Sequence, residues 1–267
     1  MKKTAPIGVF DSGLGGLTVF KALARRMPEE GLVYFGDTAH VPYGSKSPEA
    51  IARFSTAVAR FLAAKGIKLL VVACNTSSAW ALPAIRRAVK VPVIGVIEPG
   101  ARAALAVSRG RRIGVIGTEA TVRSGAYPAA IKKRARAFTA SAPCPLFVPL
   151  VEEGWWTGPV VESVARRYAA PLRKAKVDTL ILGCTHYPYL KSVIGKVMGP
   201  KVRLIDSADE TAAETERVLS ELGMRAPKGR KGARAFYASD APERFGRLGT
   251  RMLGARIAKV GLHPFDA

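Results

Sequence analysis

Only three of the 267 residues are cysteine, an odd and small number that leaves no basis for a disulfide framework and points to a reducing, cytoplasmic setting. No apolar run approaches the ~18 residues that a membrane span needs, so no membrane partner is expected. The basic start, Met1-Lys2-Lys3-Thr4-Ala5-Pro6, leads directly into a short strand-like stretch, Ile7 to Phe10. It lacks the longer apolar segment of a secretory signal, and none is expected. Neither a Cys-x-x-Cys nor a His-x-x-x-His pair occurs, which leaves zinc and dithiol redox chemistry weakly supported. Acidic residues are the other shortage: 20 Asp and Glu stand against 42 Lys and Arg, for a net charge of +22 and a pI near 10.4.

Such a surplus favours an anionic partner, and nucleic acid is the first candidate. The basic residues nevertheless stand in separate runs: Arg109, Arg111 and Arg112; Lys132 to Arg136; and Arg225 to Arg234. No aromatic residues are interleaved with them as a base-stacking platform would require. Read from the sequence, these are solvated faces that keep the chain soluble and steer a small anionic substrate, with nucleic-acid binding only a charge-driven secondary property.

What is present is a globular composition, 48% hydrophobic and 23% charged, in a chain long enough for two smaller domains that share an interface. Short apolar runs alternate with helical stretches almost without interruption. Strands are expected at Ile7 to Phe10, Leu32 to Phe35, Ile67 to Ala73, Val93 to Ile97, Ile113 to Ile116, Leu146 to Leu150, Val177 to Leu182, Val202 to Ile205 and Arg234 to Ala238. Helices are expected from Leu14 to about Arg26 and from the Cys74 turn to near Val89. Another lies between an N-cap at Ser47, followed by Pro48, and a stop at Gly66. The class is α/β, with mainly parallel sheets covered by helices on both faces.

Two cysteines each close an apolar run and open a polar turn, Leu70-Val71-Val72-Ala73-Cys74-Asn75-Thr76 and Leu180-Ile181-Leu182-Gly183-Cys184-Thr185-His186. The carboxyl end of a buried strand is where open α/β sheets hold ligands. The two segments are offset by 110 residues, and Ile7-Gly8-Val9-Phe10-Asp11-Ser12 matches Ile113-Gly114-Val115-Ile116-Gly117-Thr118 at an offset of 106. Short strand-plus-turn segments resemble one another in any α/β protein. If the repeat is real, two similar lobes related by a pseudo-twofold hold Cys74 and Cys184 at equivalent places, facing each other across a cleft.

The turn Asp11-Ser12-Gly13-Leu14-Gly15-Gly16 has neither dinucleotide glycine spacing nor a P-loop ending. It offers backbone N–H groups to a carboxylate, preceded by Asp11, which is an N-cap or a catalytic acid. Cys144, in Ala142-Pro143-Cys144-Pro145, has no ionisable neighbour in sequence and reads as a core thiol. Cys74 and Cys184 are each followed by hydrogen-bonding residues, and a thiolate serves as nucleophile or as base. Inverting an α-carbon needs a base on one face and an acid on the other, and two thiols can exchange those roles. His40 and His263 have no partner in sequence and read as structural or exposed; Trp155-Trp156 reads as lobe packing with a gating role open.

Four segments in order resemble the signature set of glutamate racemase, in the aspartate/glutamate racemase superfamily. They are Gly8-Val9-Phe10-Asp11-Ser12-Gly13-Leu14-Gly15-Gly16-Leu17-Thr18; Gly36-Asp37-Thr38-Ala39-His40-Val41-Pro42-Tyr43-Gly44; Ala73-Cys74-Asn75-Thr76-Ser77-Ser78-Ala79; and Gly183-Cys184-Thr185-His186-Tyr187-Pro188. The resemblance runs from the first strand to at least Asp206-Ser207-Ala208. It implies interconversion of L- and D-glutamate without pyridoxal phosphate or metal, supplying D-glutamate for peptidoglycan in a bacterial cytoplasm. Cys74 would deprotonate D-glutamate with help from Asp11, and Cys184 L-glutamate with help from His186 and Glu152. Glu153 is adjacent, so the choice of Glu152 rests on alignment.

Ser12, Tyr43, Gly44, Asn75, Thr76, Thr121, Thr185 and His186 would hold the substrate, with Asp11 beside them. The resemblance further implies a homodimer, without fixing its geometry, and a discontinuous first lobe, 1–97 plus 207–267, around a second lobe, 98–206, with the active site between them. Two other readings stand beside it. One is a related enzyme using the same thiols on aspartate or another small acid, separable by substrate competition. The other is a basic nucleic-acid-binding or regulatory protein, for which salt titration of DNA binding is the test.

Overall fold

The computed structural model describes residues 2–265. Along the first part of the chain run β1 (Ile7–Asp11), α1 (Leu17–Arg26), β2 (Leu32–Gly36), a short 3-10 turn (Tyr43–Ser45), α2 (Pro48–Ala64), β3 (Leu69–Val72), α3 (Asn75–Trp80), α4 (Leu82–Ala88) and β4 (Val93–Gly95). Then follow α5 (Ile97–Val107), β5 (Arg112–Gly117), α6 (Glu119–Arg123), α7 (Ala126–Arg134), β6 (Phe138–Pro143), α8 (Phe147–Glu152), α9 (Pro159–Lys174) and β7 (Thr179–Gly183). After a second 3-10 turn (Tyr187–Leu190) come α10 (Lys191–Met198), β8 (Arg203–Ile205), α11 (Ala208–Glu221), β9 (Arg234–Ala238), α12 (Pro242–Leu253) and β10 (Gly261–Leu262). No helix among the described residues is long and apolar enough to cross a membrane.

The strands form two parallel sheets, one in the order β10-β9-β2-β1-β3-β4 and one in the order β6-β5-β7-β8. β1, β2, β3 and β7 are buried along their whole length, which is why they read as continuous apolar runs and not as alternating ones. The block β2-β1-β3-β4 of the first sheet has the same strand order as the whole second sheet. Ile7 pairs with Leu69 in one and Ile113 with Thr179 in the other, reproducing the offsets of 106 and 110 residues found in the sequence. The internal repeat is therefore a repeat of topology and register. The chain returns to the first sheet at its end, where β9 pairs with β2 and β10 with β9.

α2 has the punctuation that its sequence announces. The Ser47 hydroxyl accepts from the Ala50 N–H at 3.2 Å, Pro48 sits in the first turn, and Gly66 takes φ +72° just past the end. Other boundaries differ from expectation. Leu146 to Leu150, read as a strand, lies in the start of α8, which buries Phe147, Val148 and Val151; an apolar run of five does not separate strand from helix by period. The strand of that region is instead β6, whose partly exposed Phe-Thr-Ala-Ser-Ala-Pro lies at the sheet edge and lacks a continuous run of large apolar residues. The helix after Cys74 breaks at Ala81, because Pro83 has no N–H with which to continue it. β4 ends at Gly95, and Ile97 already belongs to α5; α1 begins at Leu17, since residues 13–16 form a turn.

At the amino ends of the first sheet a fully buried ion pair knots distant segments together. Lys68, just before β3, lies 2.5 Å from Glu30 and also donates to the carbonyls of Lys3 and Met224 at 2.6 and 2.8 Å. Glu30 accepts in turn from the Ala226 N–H at 2.8 Å. These bonds replace the hydration that both charges lose.

Candidate active site

The carboxyl ends of the two sheets meet around a small cavity with about 270 Å³ of space between its atoms. Cys74, after β3, and Cys184, after β7, both line it. Of the other sequence candidates, Ser12, Tyr43, Gly44, Asn75 and Thr76 line it from the first sheet's side, and Thr185 and His186 from the second. Asp11, Glu152 and Thr121 stand behind this lining and reach it through hydrogen bonds.

The two thiols have different surroundings. Cys74 caps α3, its sulfur accepting from the Ser77 N–H at 3.5 Å and lying 3.6 Å from the Ser12 hydroxyl. Burial, and then the nearby Asp11 carboxylate, push the Cys74 thiol up to about 11, so it carries its proton at neutral pH. Cys184 Sγ instead lies 3.9 Å from Nδ1 of His186, whose Nε2 is 2.7 Å from Glu152. Burial alone would depress His186. Its hydrogen bonds to Cys184 and Glu152 outweigh that and hold the imidazole well above its ordinary value, hence cationic. Burial likewise opposes ionisation of Glu152, but His186, with Arg244 nearby, holds it below the usual carboxylate range. The neighbouring Glu153 faces outward and pairs with Arg244 at 3.1 Å.

Asp11 does not cap α1, whose N-cap is Gly16. It is fully buried, accepts from the Gly13 N–H at 3.0 Å and takes the Thr185 hydroxyl at 3.1 Å from the other sheet. Burial lifts it above the ordinary carboxylate value despite the His186 charge and these bonds. No hydrogen bond joins Asp11 to Cys74 among the described residues; the two interact through space. Tyr43 turns its hydroxyl to Asp37 at 2.5 Å, which leaves its ring and backbone to face the cavity.

The two sides are laced together around this space. Asn75 accepts from the Tyr127 hydroxyl at 2.6 Å, and Thr76 closes a triangle of hydroxyls with Thr118 and Thr121 at 2.9, 3.1 and 3.0 Å. Close approach depends on Gly15, where an added Cβ would fall 2.4 Å from the Thr185 hydroxyl and 2.5 Å from His186 Nδ1. Sequence reasoning missed Thr118, Pro42 and Val148 in the lining. Thr118 had a signal, since it stands 106 residues after Ser12 in the repeat; Val148 had none. Cys144 is fully buried, donates to the Ala142 carbonyl at 3.6 Å and stays outside the cavity. His40 stacks on Phe54 with ring centres 4.1 Å apart and meets Asp37 at 2.9 Å; His263 stacks on Phe61, also at 4.1 Å. Among the described residues no three His, Cys, Asp or Glu side chains converge as a metal would require.

The chain as a whole has relatives among known proteins. The family model described as Asp/Glu/Hydantoin racemase matches residues 7–215. The chain belongs to that family. Within it, the chain groups with the glutamate racemases, which are isomerases: the glutamate racemase of Geobacter metallireducens is 52% identical over 255 residues, covering 95% of this chain and 94% of that one. The crystal structure of the Francisella tularensis glutamate racemase in complex with D-glutamate superposes with a TM-score of 0.91 at 38% identity, covering 99% of each chain. That of the Thermus thermophilus glutamate racemase in complex with β-chloro-D-alanine gives 0.89 at 47% identity, also covering 99% of each. These racemase structures share the two-lobed arrangement of parallel sheets seen here.

Proposed function

We propose that this isomerase interconverts L- and D-glutamate by proton exchange between Cys74 and Cys184, without a cofactor. The observation that carries this reading is that both thiols line one small cavity from opposite sheets, at equivalent strand ends. A thiolate on one side takes the α-proton, and the protonated thiol on the other side delivers its own to the opposite face of the carbanion. Each turnover leaves the two sulfurs with exchanged protonation states, ready for the reverse direction. Cys74, which holds its proton at neutral pH, gives it to form D-glutamate, and Cys184 takes the proton of L-glutamate. His186, cationic and anchored by Glu152, serves the Cys184 side; Asp11 serves the Cys74 side and links it to Thr185.

Ser12, Gly44, Asn75 and Thr76 offer hydrogen bonds to the substrate's amino and carboxylate groups, with Tyr43, Thr185 and His186 completing the enclosure and Thr121 supporting Thr76. The excess positive charge steers the anionic substrate inwards. The lobes divide as 1–97 plus 207–267 and 98–206, and the working form is a homodimer. The product, D-glutamate, serves peptidoglycan synthesis in a bacterial cytoplasm.

Incubation with L-glutamate in deuterated water, without added cofactor, tests this. Loss of optical activity should accompany α-deuterium incorporation, with aspartate as a poor competitor. Racemisation surviving in either Cys74→Ala or Cys184→Ala would falsify the two-thiol exchange.

A further inference from the structure

Two of the three basic runs that are separate in sequence are brought to one end of the second sheet. β5, β6, β7 and β8 all run parallel, so their amino ends, and the ends of the helices that precede them, lie on the face opposite the cavity. Arg109 and Arg111 lie in the turn before β5, Lys132 and Lys133 in the last turn of α7, and Arg136 between α7 and β6. Arg173, Lys174 and Lys176 close α9 and lead into β7, while Lys201 and Arg203 lead into β8. These side chains are exposed and make no ion pair among the described residues.

The imbalance is steep. Residues 108–112, 132–138, 173–179 and 199–203 hold twelve of the 42 Lys and Arg and one of the 20 Asp and Glu, a net +11 of the chain's +22. The single acid, Asp178, is taken up by the Ser108 hydroxyl, the Gly110 N–H and the Thr179 hydroxyl at 2.6, 2.6 and 2.8 Å. Arg134 alone finds a carboxylate, Glu98, at 2.8 Å. The third run differs in place: Arg225 is committed to Glu29 and Glu216 and Arg234 to backbone carbonyls, while Lys228, Arg230 and Lys231 are exposed and unpaired among the described residues but lie in the loop before β9 of the first sheet.

Cations at helix carboxyl ends are favourable in themselves, but that effect extends only over the last turn and does not require them to be unpaired. A face of one sign repels a second copy of itself, so it does not serve as a symmetric dimer contact. It also lacks what a membrane anchor needs. Its one exposed large apolar side chain, Phe138, lies under the Arg112 guanidinium at 4.3 Å. With one covered ring it has no platform on which successive bases could stack, which disfavours single strands. Four adjacent strand starts span about 14 Å, wide enough to meet several charges of a duplex that carries one per ~1.7 Å of axis.

We propose that the amino end of the second sheet is a docking surface for the phosphate backbone of a nucleic-acid duplex, bound without base readout. Because the cavity opens at the opposite ends of the strands, docking leaves the isomerase site free. The test is the anisotropy of a labelled DNA duplex of mixed sequence, about 20 base pairs long, titrated with full-length protein from about 50 to about 200 mM salt.

The triple variant Lys132→Glu, Lys133→Glu, Arg136→Glu should weaken binding by about 10²-fold and flatten the salt slope by about 3. The charge-matched variant Lys228→Glu, Arg230→Glu, Lys231→Glu, on the first sheet's side, should change binding less than about 3-fold. Both should keep the wild-type kcat at saturating glutamate. Should the first variant fold poorly, acetylation of the wild-type protein decides, with bound duplex protecting Lys132, Lys133 and Lys174 but not Lys228 or Lys231. Equal losses in the two variants, protection of the wrong lysines, tighter binding of a single strand, or stronger binding to phosphatidylserine vesicles would each overturn the proposal.

Discussion

Thr185, the residue after Cys184, donates its hydroxyl to Asp11 at 3.1 Å across the two sheets. The acid assigned to one thiol is thus tied to the chain that carries the other. Since the two enantiomers of glutamate have equal free energies, any loss in kcat/KM must be the same in both directions. Thr185→Val removes a hydrogen bond to a charged group, worth about 1.5–3 kcal/mol, and should lower kcat/KM by about 10- to 100-fold. The kcat/KM values from L- and D-glutamate should fall by the same factor, and a fall of less than about 3-fold would count against a role for this hydrogen bond.

Cys74 should titrate late. Burial first and Asp11 second raise it to about 11, so its alkylation rate by iodoacetamide should keep climbing with pH towards that value. Asp11→Asn removes the second cause and should move the midpoint down towards the ordinary thiol value near 8.5. Peptide mass spectrometry, with Cys184 replaced by Ser, isolates this thiol.

Glu152 and Glu153 should separate sharply. Glu152→Gln leaves the buried His186 cation without its carboxylate and should cost about 1–3 kcal/mol of stability, whereas Glu153→Gln breaks an exposed pair and should cost less than about 1 kcal/mol. The His186 value is raised, so its contribution is full below about 6.5 and is lost as pH rises through the folded-state value. The Glu152 value is lowered, so its contribution is present above about 4.3 and is lost as pH falls through its folded-state value. Urea unfolding should therefore show the largest Glu152→Gln penalty between these limits, and a flat penalty from pH 4 to 9 would count against the pair.

The Lys68–Glu30 pair is a matter of stability and not of chemistry. Lys68→Met strands a buried carboxylate and two carbonyls and should destabilise the fold by about 3–5 kcal/mol. Lys68→Met with Glu30→Leu should recover most of that, with specific activity at low temperature unchanged. Unfolding midpoints of the single and double variants check both statements.

Where apolar runs were long and buried, the fold was legible in advance. β1, β3 and β7 could be read because both faces are covered, and the punctuation of α2 is local to its own residues. β6 could not be read, since an edge strand with one partner does not need apolar residues on both faces, and α8 was mistaken because five apolar residues fit either period. Lining residues inside motifs, such as Cys74, Asn75 and Thr185, were visible in the sequence, while Val148 came from an unremarkable apolar run. Adjacent glutamates carry the same chemistry, so their order along the chain could not say which one turns inward to His186.

The sequence by itself determined the alternation of strand and helix, the repeat at offsets of 106 and 110, and the place of each thiol at a strand end, because these follow from local pattern and periodicity. Only the tertiary structure decided which groups meet: Asp11 with Thr185, Glu152 with His186, and four scattered basic segments on one face. Those meetings are set by how the two sheets pack and how parallel strands align their ends, over separations of tens to hundreds of residues that no local pattern spans.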